Sequence, residues 1–180
     1  NFTTNKATTP NAGQSSPTGG AIMVGSKSYT GVALDVAGCN FVENDGGYMG
    51  GAIASSPDNT IKVADSNFTG NFATTLGGAI VTGTGTELTV SGSTFNDNKV
   101  SGTGMGGAIF CEPTSKNNIT GSNFTNNVDR YPSAIMNYQG TLDLSENTFT
   151  GTSIFNYAGT ITSEIKAVVL NNETVTSYDD

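Results

Sequence analysis

The amino-acid sequence predicts an all-β fold, a right-handed parallel β-helix with three strands and about 27 residues in each rung. Two short phrases recur in alternation, apolar residues within them alternate with a period of two, and hydrophobic residues are scarce. Leu, Ile, Val and Phe number 37 of 180 residues, close to the composition at which chains usually stay disordered. A solenoid needs fewer hydrophobic residues because each repeat buries its apolar face against the next copy.

The first phrase is a Phe followed by an Asn at the third position after it, at the end of a run of alternating apolar residues. Four copies recur at a nearly constant spacing, Phe41 with Asn44, Phe68 with Asn71, Phe95 with Asn98, and Phe124 with Asn127. In a stacked solenoid the rings should form one column inside the rod. Each Asn should lie where the chain turns, because Asn tolerates left-handed backbone and its amide can bond the backbone of its own or a neighbouring rung. Weaker copies occur at Phe2 and Phe149.

The second phrase is Gly-Gly-Ala-Ile, and its first glycine stands at the same distance before the next Phe in three copies. A glycine pair at this point predicts a sharp bend or a close approach of two backbones. Apolar or small residues are expected to face inward on every strand and polar residues outward. The glycines of the three copies are Gly50, Gly51, Gly77, Gly78, Gly106 and Gly107, with an earlier copy at Gly19–Ile22 and a degenerate one at Pro132–Ile135. All these repeated residues are interpreted as scaffold.

The two ends depart from the repeat. The predicted β-helix covers residues 1–162, with a loop insertion at residues 6–18, and residues 163–180 are predicted to form an irregular C-terminal strand or cap and a tail. Position 1 already reads as the middle of a repeat. We therefore expect a fragment of a longer surface protein.

Composition argues against several function classes. The formal net charge is −8 and there is no His, so imidazole catalysis and His-ligated metal are excluded and nucleic-acid binding is not expected. No apolar run reaches the roughly 18 residues of a membrane span. We predict no catalytic residue, no metal and no cofactor. A calcium site among corner acids such as Glu43, Asp45, Asp97 and Asp129 stays open, although no loop alternates Asp and Asn in the ligating manner.

The two cysteines, Cys39 and Cys111, are both predicted to point inward. Their positions in the repeat place them between two and three rungs from each other. A disulfide requires Cα atoms within about 7 Å. The spacing therefore favours two buried free thiols over a bridge.

The alternation of Gly-Gly-Ala-Ile with Phe-x-x-Asn resembles the repeats of chlamydial polymorphic membrane proteins. It is also similar to adhesin-like surface proteins of methanogenic archaea, which the segments 134–142 and 154–161 resemble as well. The resemblance covers about residues 1–162. It implies an extracellular segment on a cell surface, anchored through parts outside this chain, that binds a surface protein or glycan of another cell. It supplies no catalytic residues.

Two function classes follow from these patterns, a non-enzymatic adhesin scaffold and a carbohydrate-active β-helix resembling a polysaccharide lyase or pectinase. A glycoside hydrolase needs two carboxylates roughly 5–10 Å apart, and a lyase needs a poised base, often with a metal. No acidic residue recurs at one rung position on adjacent turns. The sequence therefore favours the scaffold.

Binding residues are expected in the loops that join each Asn to the next Gly-Gly. The corner after Asn98 is longer than those after Asn44 and Asn71, and the corner after Asn5 is the longest of the four. Length variation in a solenoid collects on the recognition face. The aromatic, Arg and Met side chains of these corners are candidate anchors, namely Tyr48, Met49, Met105, Arg130 and Tyr131. The competing candidate is an outward strip of Tyr138 over Tyr157. A third interpretation is that all of these side chains only cover neighbouring loops.

Overall fold

The computed structural model describes residues 1–7, 18–131, 133–163, 169–171 and 175–178. All regular secondary structure in these ranges is β-strand. Most of the predicted loop insertion, from residue 8 to residue 17, lies outside the described residues, and so do most residues of the predicted C-terminal cap.

The strands are short and follow one another in a fixed order around each rung. In chain order they are β1 (Phe2–Thr3), β2 (Ile22–Val24), β3 (Ala33–Ala37), β4 (Asn40–Val42), β5 (Ile53–Ser55), β6 (Thr60–Ala64), β7 (Asn67–Thr69), β8 (Phe72–Ala73), β9 (Ile80–Thr82), β10 (Glu87–Ser91), β11 (Thr94–Asn96), β12 (Lys99–Val100), β13 (Ile109–Cys111), β14 (Lys116–Thr120), β15 (Asn123–Thr125), β16 (Ser133–Tyr138), β17 (Thr141–Ser145), β18 (Thr148–Thr150), β19 (Ser153–Tyr157), β20 (Thr160–Ile161), β21 (Val169–Asn171) and β22 (Val175–Tyr178).

Three long sheets run the length of the rod, and every pairing between their strands is parallel. The Ile sheet contains β2, β5, β9, β13, β16, β19 and β22; the linking sheet contains β3, β6, β10, β14, β17 and β20; the Phe sheet contains β1, β4, β7, β11, β15, β18 and β21. Each rung passes from the Ile sheet through the linking sheet to the Phe sheet. The predicted parallel β-solenoid and the length of its repeat are confirmed, since Phe41, Phe68 and Phe95 are Cα partners in successive strands.

The corner after each Asn carries a fourth, short ladder that the sequence did not predict. Strand β8 pairs with β12, and isolated parallel bridges extend this ladder from Asp45 to Phe72 and from Lys99 to Val128. Rungs stack at the interstrand distance along the whole circumference, so an extended corner pairs with the corner above it even where it lacks a strand-like sequence.

The predicted phenylalanine column is confirmed. Neighbouring rings lie 4.7–4.9 Å apart between centroids, with planes within 3–7° of parallel. Phe2 adds a sixth ring at the N-terminal end, and the five rings from Phe41 to Phe149 are fully buried. These rings fill the axis of the rod together with aliphatic side chains from the strands of the Ile and linking sheets. A chain poor in hydrophobic residues thus still has a continuous core.

The asparagines form a buried ladder in which each amide bonds the neighbouring rung. Oδ1 of Asn71 accepts from the backbone N–H of Asn44 over 3.0 Å and from its Nδ2 over 2.8 Å. Nδ2 of Asn71 donates to the carbonyl oxygen of Phe41 over 3.0 Å. The predicted amide bonding is confirmed. The left-handed backbone, however, falls on the residue before the Asn, with φ values of 52° at Glu43, 64° at Gly70, 54° at Asp97 and 51° at Asn126.

The two glycines of each pair have different roles. The first takes up left-handed backbone, with φ of 61° at Gly50, 59° at Gly77 and 71° at Gly106. The second glycine lies where two backbones approach closely, because a Cβ on Gly78 would lie 2.0 Å from the carbonyl oxygen of Gly107. The prediction of a bend or a close approach is therefore confirmed in both of its forms.

Both cysteines are free thiols. Cys111 is fully buried in the core, and burial raises the pKa of its thiol far above the ordinary range. Cys39 is only partly buried, because it lies near the N-terminal end of the rod. The prediction of two buried thiols is therefore correct for Cys111 and too strong for Cys39.

Candidate binding surface

The outward side of the Ile sheet is apolar, which overturns the prediction that outward residues are polar. The middle residues of successive strands are Cα partners. Their side chains lie opposite the inward Ile column because alternate residues of a strand point to opposite faces. This middle column consists of Met23, Ala54, Val81, Phe110, Met136 and Phe155.

A second column lies beside the first and is made of corner residues that precede the Ile-sheet strand in each rung. Parallel bridges connect Thr18 with Met49, Met49 with Leu76, and Leu76 with Met105. Tyr131 takes the next place in this column by its position in the repeat, because it stands four residues before the inward Ile135 as Met105 stands four before Ile109. Met49, Leu76 and Met105 pack, partly buried, against the middle column. The methionines therefore cover the sheet and are less exposed than free loop anchors would be.

A third column lies two residues beyond the middle column and consists, from the second rung onward, of Ser56, Gly83, Glu112, Tyr138 and Tyr157, as the strand registers require. The rings of Tyr138 and Tyr157 stack with centroids 5.4 Å apart and planes 9° from parallel. Tyr138 also lies 6.3 Å from the ring of Phe110. We call the three columns together the outer Ile face.

The two sets of candidate residues that the sequence offered as alternatives thus lie on one surface. Tyr131 belongs to the corner column, and its ring stacks on Phe155 of the middle column at 5.2 Å. Tyr157, one column further across, packs against the same middle cluster. Corner loops and tyrosine strip are therefore two edges of the same face. The Arg130 guanidinium carbon lies 5.2 Å from the Tyr131 ring centroid, within cation–π distance.

Asp129 organises the corner that presents Arg130 and Tyr131. Its carboxylate accepts from the backbone N–H groups of Tyr131 (2.6 Å), Ser133 (2.9 Å) and Gly106 (2.8 Å), and from the Ser133 hydroxyl. Asp129 is buried, whereas the corner acids Glu43 and Asp97 are exposed. In this rung Pro132 and Ser133 replace the glycine pair, and the carboxylate supplies the acceptors that hold the altered turn.

The N-terminal half of the outer Ile face contains a groove of about 640 Å³. Its floor includes Ser56, which has a small side chain, and Gly83, which has none, so the third column has no bulky side chain before Glu112. Tyr48 and Met49 line the groove as well. The sequence did not single out Gly83, Phe110, Glu112 or Phe155. The sequence did contain a pattern that could have predicted Phe110 and Phe155, because the residue after each inward Ile is apolar in every rung.

A second concavity, of about 500 Å³, lies on the outer side of the linking sheet and is lined by Glu87, Lys116 and Asp143 among others. Glu87 and Lys116 form an exposed ion pair at 3.2 Å. Asp143 is in strand β17, two strands from β10, and it is two residues out of register with Glu87, so the two Cα atoms are roughly 12 Å apart. No group of three or more Cys, Asp or Glu side chains suited to a metal ion occurs among the described residues.

Comparison with protein-family models supports the predicted resemblance. Residues 65–83 and 92–112 match the Chlamydia polymorphic membrane protein repeat. Each matched segment runs from a Phe-x-x-Asn phrase to the following Gly-Gly-Ala-Ile. The comparisons with curated proteins and with solved structures gave no match. The similarity to archaeal adhesin-like proteins stays a prediction. The described part of the chain contains no helix suited to crossing a membrane.

Proposed function

We propose that this chain is a non-enzymatic segment of a cell-surface adhesin whose solenoid presents the outer Ile face to a surface protein or glycan of another cell. The observation that carries the proposal is the in-register apolar and aromatic surface on the outside of the rod. The match to the polymorphic membrane protein repeat supports a location at the cell surface, outside the membrane.

The middle column of this face is largely buried under its flanking columns, and the exposed side chains around it are the ones that favour a binding role. Met23, Tyr48 and Tyr131 keep 46%, 41% and 44% of their surface exposed. Exposed aromatic and apolar side chains beside an apolar cluster are frequent at interaction sites. Tyr131 and Arg130 lie side by side, and Tyr and Arg are among the residue types that most often dominate the binding energy of an interface.

The scaffold also explains how short corners can bind specifically. The strands and corner bridges of each rung pair with the rungs above and below, and the Asp129 carboxylate fixes the backbone around Tyr131. Side chains held in place before binding lose little conformational freedom when a partner arrives. Such a surface suits recognition better than flexible loops would.

The experiment that tests the proposal measures attachment of cultured cells to beads coated with the chain. Replacing Tyr48, Arg130 and Tyr131 with Ala should weaken attachment while the melting temperature changes little. Lys62→Ala, an exposed outward position on the linking sheet, is the matched control and should have no effect. If Tyr138→Ala or Tyr157→Ala abolishes attachment and the triple variant does not, the anchors lie in the third column instead. Equal attachment of all variants would refute the proposal.

The carbohydrate-active alternative has one specific location, the concavity with Glu87, Lys116 and Asp143. With Cα atoms roughly 12 Å apart, the two carboxylates come within the wide limit for an inverting hydrolase only if both side chains extend toward each other. Incubation with pectin and alginate tests it. Turnover that Glu87→Gln or Asp143→Asn abolishes would replace the adhesin proposal with an enzymatic one.

A further inference from the structure

The groove in the N-terminal half of the outer Ile face is a consequence of Gly83. In the third column Gly83 stands between Ser56 and Glu112, where later rungs carry tyrosines. A Cβ on Gly83 would lie 2.4 Å from the carbonyl oxygen of Ser56, so no other residue fits without moving the backbone. The resulting space of about 640 Å³ is within the usual size of a ligand site.

Glu112 closes this groove at its C-terminal end with a half-buried carboxylate. The two ion pairs within the described residues join Lys6 to Asp45 and Lys116 to Glu87, so Glu112 takes part in neither. Partial removal from water raises the pKa of its carboxyl. A carboxylate that has lost part of its hydration without gaining a protein cation gains more from a cationic ligand than a fully solvated one does.

We propose that this groove binds a basic segment of a partner protein, with Glu112 pairing the Lys or Arg side chain and the apolar wall of Met23, Tyr48 and Met49 receiving a neighbouring apolar side chain. The wall and the carboxylate belong to opposite ends of the groove. A single compact ion would therefore leave half of the site unused, and a segment with both kinds of side chain fills it.

Charge over the whole chain favours the same occupant. The formal net charge of −8 attracts cationic partners and repels anionic ones at long range. Lys27 also lines the groove, but it follows β2, whereas Glu112 follows β13. These strands are three positions apart in the sheet, roughly 14 Å by the interstrand spacing, so Lys27 leaves the carboxylate available.

The probe is a capped dipeptide, N-acetyl-leucyl-lysine amide, titrated into the isotopically labelled full chain and followed by amide chemical shifts. We expect saturable shifts centred on Gly83, Thr84 and Glu112. Glu112→Gln, which keeps the shape and removes the charge, should weaken binding at least about tenfold, or about 1.4 kcal/mol. Glu146→Gln, at an exposed corner, removes one charge elsewhere and should leave affinity unchanged. Unchanged melting curves would show that both variants are folded.

Two further probes decide the outcome, one without a side-chain charge and one with a negative charge. N-acetyl-leucyl-norleucine amide has no charge to pair with Glu112. Its affinity for the native chain should therefore be no higher than the affinity of the lysine probe for the Glu112→Gln variant. The proposal is overturned if the lysine probe binds the Gln variant as tightly as the native chain, or if its shifts are unsaturable and spread over the surface. It is also overturned if N-acetyl-leucyl-glutamate amide binds as well with shifts near Lys27, which would assign the groove to anions.

This inference rests on the proposed function in one respect: that the ligand of the groove is a segment of a partner protein. Failure of one leaves the other measurable. Saturable binding of the lysine probe without cell attachment would count against the adhesin alone, and cell attachment that Glu112→Gln does not weaken, with no probe binding, would count against the basic segment alone.

Discussion

Asn71 donates a hydrogen bond from Nδ2 to Oδ1 of Asn98, 2.9 Å away in the next rung. The same oxygen accepts the backbone N–H of Asn71 at 3.0 Å. Nδ2 of Asn98 in turn donates to the carbonyl oxygen of Phe68 and to Oδ1 of Asn127, both at 2.9 Å. The buried amide of Asn98 therefore links its own rung to the rungs on both sides.

Asn98→Ala should be among the most destabilising single substitutions in the chain. It removes the side-chain partner of the buried N–H of Asn71 and of the buried carbonyl of Phe68, and a buried group left without a partner costs about 1–3 kcal/mol. Oδ1 of Asn127 loses one of its two donors. We expect a loss of at least about 3 kcal/mol in the free energy of unfolding by urea. Asn118→Ala, on the exposed face of β14, is the control and should stay within about 0.5 kcal/mol. A similar cost for the two would mean that the ladder contributes no more than surface asparagines do.

Phe95→Ala removes the central ring of the column and should cost about 3–5 kcal/mol, as other core aromatics do. Phe95 is fully buried between Phe68 and Phe124, so the cavity has rings on both sides and little freedom to collapse. Phe72→Ala, in the half-buried corner ladder, should cost clearly less. The comparison uses denaturant unfolding followed by circular dichroism. Equal losses would contradict a core that depends on the axial column.

The scaffold was predictable from the sequence because a solenoid converts sequence spacing into spatial register. Residues such as Phe68 and Phe95, repeated at one spacing, must become neighbours once the rungs stack. The roles of Asn71 and Gly78 followed from their chemistry at fixed points of the rung. One detail of the turn was wrong, left-handed backbone at the Asn itself, and it concerns which of two adjacent turn residues takes the strained angle.

The binding surface was less predictable because it depends on residues that differ from rung to rung. Ala54, Val81 and Phe110 occupy equivalent outward positions, but their identities vary and carry no repeat signal. The groove depends on Gly83 lying between Ser56 and Glu112, which follows only once the register is known. The burial of Asp129 likewise requires the directions of the N–H groups of Tyr131 and Ser133.

Gly78→Ala should destabilise the fold through contact with another backbone. The new methyl carbon would lie 2.0 Å from the carbonyl oxygen of Gly107 and 2.7 Å from the backbone nitrogen of Lys99, so two rungs would have to separate. Gly31→Ala is the matched control, because Gly31 has φ of 71° but no atom within 4 Å of the added carbon. The control should cost only about 1–2 kcal/mol from left-handed backbone. Thermal unfolding that ranks Gly31→Ala as the worse variant would refute this account of the glycine pair.

The two thiols should differ sharply in reactivity. Burial raises the pKa of the Cys111 thiol and removes it from solvent, and the thiolate is the reactive form. Cys39 is partly exposed. Iodoacetamide should therefore label one cysteine in the native chain and both after denaturation, with mass spectrometry assigning the sites. Cys39→Ser should abolish native labelling, whereas Cys111→Ser should leave it intact. Native labelling at Cys111 would show that the rod opens locally around β13.

Glu112 should make stability depend on pH in a direction set by its surroundings. Partial burial raises the pKa of its carboxyl in the folded chain, whereas in the unfolded chain it titrates near the ordinary value of about 4.3. The folded state therefore binds the proton more tightly than the unfolded state does. The stability that protonation gives is fully present below the unfolded pKa, and it is lost as pH rises through the folded pKa. The titratable group beside this carboxyl in the next rung is Tyr138, and Lys27 and Tyr48 line the same groove from rungs further toward the N-terminal end.

Measured against Glu112→Gln, the native chain should thus be less stable at about pH 7, and the difference should disappear as pH falls to about 3, where the carboxyl is largely protonated in both states. Melting temperatures of both chains across this range, at one ionic strength, test the expectation. Glu146→Gln, at an exposed corner, controls for the change in net charge, and its melting temperature should follow that of the native chain more closely at every pH. A destabilised Glu112→Gln variant at neutral pH would show that the carboxylate already has a favourable partner in the fold. It would then be unavailable to a basic side chain of another protein.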